Sequence, residues 1–123
     1  MGQRVLVADD SRLMRKIISR TLADIGITDI SEAADGVEAM AAFGSGTFDL
    51  VLTDWNMPNK TGLDVLKEIR ATGSNVPVIM ITTENEERRI KEALDAGVTD
   101  YLAKPFDSVG IREKVEKYLP ATS

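Results

Sequence analysis

The sequence has no cysteine and no histidine. The first absence excludes disulfides, thiolate nucleophiles and cysteine-ligated metals. The second removes Ser-His-Asp triads and histidine metal centres. Long apolar runs are missing too. Runs such as Val78 to Ile81 fall far short of the roughly 20 residues that cross a bilayer, so no membrane insertion is expected. There is also no basic excess: 15 Lys and Arg stand against 20 Asp and Glu, a net charge of −5. The cations are scattered among acids, which argues against nucleic acid as a direct partner. Asp9 and Asp10 interrupt the first apolar run early, unlike a secretory leader. A cytoplasmic location is therefore expected.

What remains is an ordinary globular composition, 43% hydrophobic and 28% charged over 123 residues. One domain over residues 1–123 is expected, long enough to bury roughly two thirds of the surface its unfolded form exposes. Apolar runs alternate with helix-period segments. Residues 4–8, 30–33, 50–53, 77–82 and 101–103 read as strands, several of them continuously apolar, as suits strands covered on both faces. Between them, Leu13, Met14, Ile17, Ile18, Leu22 and Ile25 recur at helical spacing over residues 12–25. Asp35 with Glu38 resembles a capping box for a second helix ending near Gly44. Thr61 caps a third, with Leu63, Leu66 and Ile69 facing inward. A fourth covers residues 85–96, stopped by Gly97, and a fifth covers 108–119, halted by Pro120. Five βα units in succession predict an α/β fold with a parallel sheet and helices on both faces.

In open sheets of this kind, chemistry gathers at the carboxyl ends of the strands. Those ends carry Asp9 and Asp10, Asp54, Thr82 with Thr83, and Lys104 with Pro105. A lone acid after a strand is often only a helix cap, and Asp10 fits that description. Three acids from two strand ends ask for more. Two unit charges about 4 Å apart repel by roughly 4 kcal/mol at an effective dielectric near 20. A hard divalent cation relieves this, and Mg²⁺ is held by one or two carboxylates plus waters and phosphate oxygens. With cysteine and histidine absent, a carboxylate is itself a candidate nucleophile, forming an aspartyl-phosphate. Asp54 is the better placed, Lys104 pairs with the phosphoryl charge, and Thr82 donates a hydrogen bond to it.

Residues 5–11 (VLVADDS), 50–58 (LVLTDWNMP), 61–62 (TG), 78–83 (VIMITT) and 102–106 (LAKPF) together resemble the receiver domain of bacterial two-component response regulators, most closely the stand-alone chemotaxis type. The resemblance covers nearly the whole chain and is specific as a combination, though each piece alone is weak. It implies a flavodoxin-like (βα)5 doubly wound sheet of five parallel strands in the order 2-1-3-4-5. It implies that Asp54 is the phosphoacceptor, that Asp9, Asp10, Asp54 and the backbone carbonyl of Asn56 hold Mg²⁺, and that Lys104 contacts the phosphoryl group. Thr82 is then the switch hydroxyl and Tyr101 the aromatic that turns with it, with Lys91 and Lys114 on the output face. Asn56 and Glu84 occupy positions that tune dephosphorylation. Thr83 departs from the Ala or Gly usual there, beside the site. The Lys104–Pro105 bond is expected to be cis. Trp55 is expected half-exposed near the cleft, and residues 84–89 (ENEERR) form a solvated helix start.

The implied partners are a histidine kinase, since the chain lacks the donor histidine, and a downstream protein such as a flagellar motor switch protein. A monomer is expected. Phosphorylation of Asp54 then shifts a population between two states. An alternative keeps the fold but makes the chain a phosphorelay intermediate or phosphate sink. An aspartate-nucleophile phosphatase of the haloacid dehalogenase type needs a second Asp two residues after the first, where this chain has Asn56. A flavodoxin would hold its phosphate with hydroxyls and amides, where this chain has Asp9 and Asp10.

Overall fold

The computed structural model describes residues 3–82, 87–104 and 107–119. Strands and helices alternate: β1 (Arg4–Ala8), α1 (Arg12–Asp24), β2 (Asp29–Ala33), α2 (Gly36–Gly44), β3 (Leu50–Asp54), α3 (Gly62–Ala71), β4 (Val78–Thr82), α4 (Glu87–Asp95), β5 (Asp100–Ala103) and α5 (Ser108–Tyr118). The five strands form one sheet in the order β2-β1-β3-β4-β5, and every neighbouring pair is parallel. The expected α/β architecture and strand order are both present.

The continuous apolar strands have the expected cause. Along β1, Val5 and Val7 enter the layer that α1 and α5 cover with Ile18, Leu22, Ile111 and Val115. Leu6 and Ala8 enter the opposite layer, packed on Leu66 and Ile69 of α3 and Ala93 of α4. Strand side chains alternate between faces, so a strand buried on both sides has no polar position to spare.

Local signals end the helices. Gly97, at φ 94, closes α4, with its N–H bonded to Leu94 and that of Val98 to Ala93. Thr61 accepts from the Asp64 N–H, while Asp64 bonds back to the Thr61 N–H, completing a capping box on α3. Three expectations need correction. Ser11, not Asp10, caps α1, because its hydroxyl accepts from the Met14 N–H. Asp35 caps α2 as expected, but Glu38 reaches the Ala34 N–H instead of that of Asp35. Leu13 and Ile17 do not face the core and are 70% and 42% exposed.

Candidate functional site

Parallel register brings the strand ends together. Ala8 pairs with Thr53, so Asp9 stands level with Asp54. Asp54 pairs with Ile81 and Thr82 pairs with Ala103. Asp9, Asp54, Thr82 and Lys104 therefore share the carboxyl edge of the sheet.

Asp9 and Asp54 are buried, while Asp10 is exposed. One carboxylate oxygen from each lies within 4.8 Å of the others. Lys104 bridges the buried pair, its Nζ 3.3 Å from Asp54 Oδ2 and 3.7 Å from Asp9 Oδ2. Its own N–H bonds to the Thr82 carbonyl at 2.7 Å, which fixes the start of the side chain. Asp9 Oδ1 accepts from the Ser11 N–H at 2.9 Å, and Asp9 Oδ2 is buried without a hydrogen bond. Arg15 braces this loop from below, donating to the Asp9 carbonyl at 2.7 Å and pairing with Glu32 at 3.2 Å.

Burial pushes the Asp9 carboxyl above its usual pKa. The Ser11 N–H and Lys104 pull it back, but the charges of Asp54 and Asp10 add to the upward shift. Burial likewise raises Asp54, against opposing contributions from Lys104 and the Asn56 N–H. A buried carboxylate oxygen without a hydrogen bond is costly, and Asp9 Oδ2, held only by the longer Lys104 contact and standing beside two further acids, is a hard-oxygen environment that fits a divalent cation. The three carboxylates form a group that could hold one.

The backbone next to Asp54 is tightly built. The Trp55 N–H donates to the Ile81 carbonyl and the Gly62 N–H to the Trp55 carbonyl, both at 2.9 Å. Trp55 is buried at 7% exposure, not half-exposed as expected. With Met80, Thr82, Ile90, Val98 and Tyr101 it lines a small apolar cavity beneath α4. Thr82 is buried and Tyr101 is 39% exposed, so one cavity joins the two residues expected to switch.

Of the residues expected on the output face, Lys114 is brought to Tyr101, its Nζ 5.9 Å from the ring centre. Lys91 is exposed on α4, and among the described residues no ion pair or hydrogen bond joins it to either. Asn56 is exposed in the β3–α3 connection. Thr83, Glu84 and the Lys104–Pro105 bond lie outside the described residues.

Two residues near the site escaped sequence reasoning. Arg89 belongs to the run read as solvated, yet its guanidinium lies 5.3 Å from the Trp55 ring centre and its Nη1 3.4 Å from Asn56 Oδ1. A basic residue one helical turn from apolar Ala93 was the available signal. Asp100 opens β5 one residue before the expected strand, and its partners on α5 gave no local signal.

The family model for the response regulator receiver domain matches residues 5–116. The chain belongs to the response regulator receiver domain family. This receiver is 44% identical over 116 residues to chemotaxis protein CheY of Pseudomonas aeruginosa, covering 93% of this chain and 94% of that protein. It is 43% identical over 118 residues to chemotaxis protein CheY-3 of Vibrio cholerae, covering 94% and 91%. The solved structure of the chemotaxis response regulator CheY4 of Vibrio cholerae superimposes on the receiver with a TM-score of 0.90 at 33% identity, covering 96% of this chain and 99% of that one. Among the described residues of the receiver, no helix is long and apolar enough to cross a membrane.

Proposed function

We propose that the chain is a phosphorylation switch of chemotaxis signalling, with Asp54 as phosphoacceptor. An Asp54 carboxylate oxygen attacks the phosphorus of a phosphohistidine on a partner kinase. The P–O bond forms as the P–N bond breaks, the imidazole leaves, and an aspartyl-phosphate results. Lys104, already bridging Asp9 and Asp54, holds its ammonium where charge accumulates on the phosphoryl oxygens. Such transfers depend on positioning and electrostatic stabilisation. The bridge, together with the buried Asp9 Oδ2 that no hydrogen bond satisfies, is the observation that carries this reading.

Asp9, Asp10, Asp54 and the backbone carbonyl of Asn56 would hold Mg²⁺. When bound, Mg²⁺ supplies positive charge that offsets both the acidic cluster and the incoming phosphoryl group. Thr82 donates its hydroxyl to the phosphoryl oxygens, and Tyr101 turns toward the cavity the two residues share. Asn56 and Glu84 tune hydrolysis. A downstream protein, such as a flagellar motor switch protein, reads the face formed by β5, α5 and Lys91. The chain acts in the cytoplasm as a monomer. It catalyses only its own phosphotransfer and dephosphorylation.

Trp55 is the single tryptophan and directly follows Asp54, so its fluorescence reports on the site. Mg²⁺ followed by acetyl phosphate is expected to give two saturable changes. Asp54→Asn should abolish the second. A phosphodonor response that survives in Asp54→Asn would place the phosphoryl group elsewhere and refute the assignment.

A further inference from the structure

The carboxylate of Asp100 is nearly covered, at 13% side-chain exposure. Its Oδ1 accepts from the Tyr101 N–H at 2.8 Å and from Lys114 Nζ at 3.0 Å. Its Oδ2 accepts from the Tyr118 hydroxyl at 2.7 Å and lies 3.8 Å from Lys117 Nζ. Lys114 and Tyr118 are neighbours one turn apart on α5, so both reach one carboxylate. The same Lys114 ammonium lies 5.9 Å from the Tyr101 ring centre, within range of a cation–π contact.

A lysine ammonium ends a flexible four-carbon stem and has three donors free to rotate. Left to itself it samples many positions. Fixed to Asp100, it is held between a carboxylate and the face of the switch tyrosine. Burial lifts the Asp100 pKa, but hydrogen bonds from Tyr118, Lys114 and the Tyr101 N–H outweigh it and the carboxyl ends below its usual value. The same bond raises the Tyr118 hydroxyl, which therefore stays a donor. Asp100 therefore stays a carboxylate near neutral pH.

We propose that Asp100 is a positioning residue of the switch: through Lys114 it clamps the Tyr101 ring in its outward position and sets the resting balance between outward and inward states. The inference rests on the phosphoacceptor reading above. An inward ring gives up its contact with Lys114, so this contact opposes activation. Releasing the clamp moves the ring inward before any phosphoryl group arrives. By linkage, a phosphoryl mimic then binds more tightly by the same factor.

The chain has two tyrosines, so 3-fluorotyrosine labelling gives two ¹⁹F lines, assigned with Tyr118→Phe. A dissolved paramagnet relaxes an exposed ring faster than a buried one, which separates ring position from a mere change in local charge. In Asp100→Asn and in Lys114→Met, the Tyr101 line is expected to be more protected than in wild type with no phosphodonor present. The half-saturating concentration of beryllofluoride with Mg²⁺ should fall about two- to fivefold, the population shift corresponding to an exposed cation–π contact. Lys114→Arg, which still reaches both groups, should restore wild-type behaviour. Lys114 is partly exposed, so its variants report even if Asp100→Asn fails to fold. Unchanged protection and unchanged beryllofluoride binding in Lys114→Met would overturn the clamp. If the wild-type chain ignores beryllofluoride, the phosphoacceptor reading fails, and the protection of Tyr101 in Lys114→Met still decides the clamp.

Discussion

At the scale of single residues, burial outweighs the donors and cations around Asp9 and Asp54 and is outweighed at Asp100. All three are acids in covered positions, yet burial raises the first two while hydrogen-bond donors lower the third. A carboxyl with a raised folded pKa binds protons more tightly in the folded chain. Its contribution to stability is therefore lost as pH climbs from the unfolded value, 3.8, through the folded one. At neutral pH in EDTA, Asp9 thus weakens the fold, and Asp9→Asn should melt above wild type by a few degrees. That advantage should grow between pH 4 and pH 7. A cation that binds only the folded chain stabilises it by about 2.7 kcal/mol at a hundredfold excess over its Kd. Thermal melts should show Mg²⁺ raising the wild-type Tm at pH 7, with most of the rise lost in Asp9→Asn. A full Mg²⁺ response in that variant would put the ion away from Asp9.

At the scale of elements, the third helix does more than cover the sheet. Gly62 begins α3 against the backbone of Asp54: a Cβ there would overlap the Asp54 carbonyl oxygen and lie 2.8 Å from Met80 Sδ. Gly62→Ala must therefore move either the helix or the strand end that carries Asp54. Overpacking of this kind costs roughly 1–3 kcal/mol, and here it should also slow phosphorylation by acetyl phosphate. Thr61→Ala removes the cap for about 1 kcal/mol and, acting only on the helix end, should leave that rate nearly unchanged. Denaturant melts with phosphorylation kinetics separate the two. Elements were also the most legible part of the sequence. Each strand lies within one residue of its expected bounds, most clearly β1, β3 and β4, which are built on continuous apolar runs closed by polar residues. Capping by Asp35 and Thr61 was legible for the same local reason. The inward face of α1 was not fully so. Met14, Ile18, Leu22 and Ile25 form one row that meets the core, while Leu13 and Ile17 form the adjacent row, about 100° around the helix and past the buried stripe. The acidic site was legible because consecutive strand ends must meet at one edge. The Asp100 network was not, since its partners lie 14 and 18 residues away on another element.

At the scale of the whole molecule, the two apolar layers share their strands. In β3, Leu50 and Leu52 pack on the α1–α5 side and Val51 on the other. Neither layer can loosen without displacing backbone that the other needs, so the chain should unfold in one step despite having two cores. Leu66 is fully buried in α3 and Ile111 is 1% exposed in α5. Leu66→Ala and Ile111→Ala each remove a large buried side chain, at a cost of about 2–5 kcal/mol. Trp55 reports on the first layer, and a fluorine label on Tyr118 reports on the second. Each substitution should lower the midpoints seen by both probes equally, wherever the cavity lies. Separate midpoints would mean two independently melting halves. A single midpoint has a consequence for signalling. A fold that opens all at once cannot pass a signal by loosening one layer. On the proposed function, the change produced at Asp54 would then travel through side chains at the sheet edge, from Lys104 and Thr82 to Tyr101, with the rest of the sheet as a rigid frame.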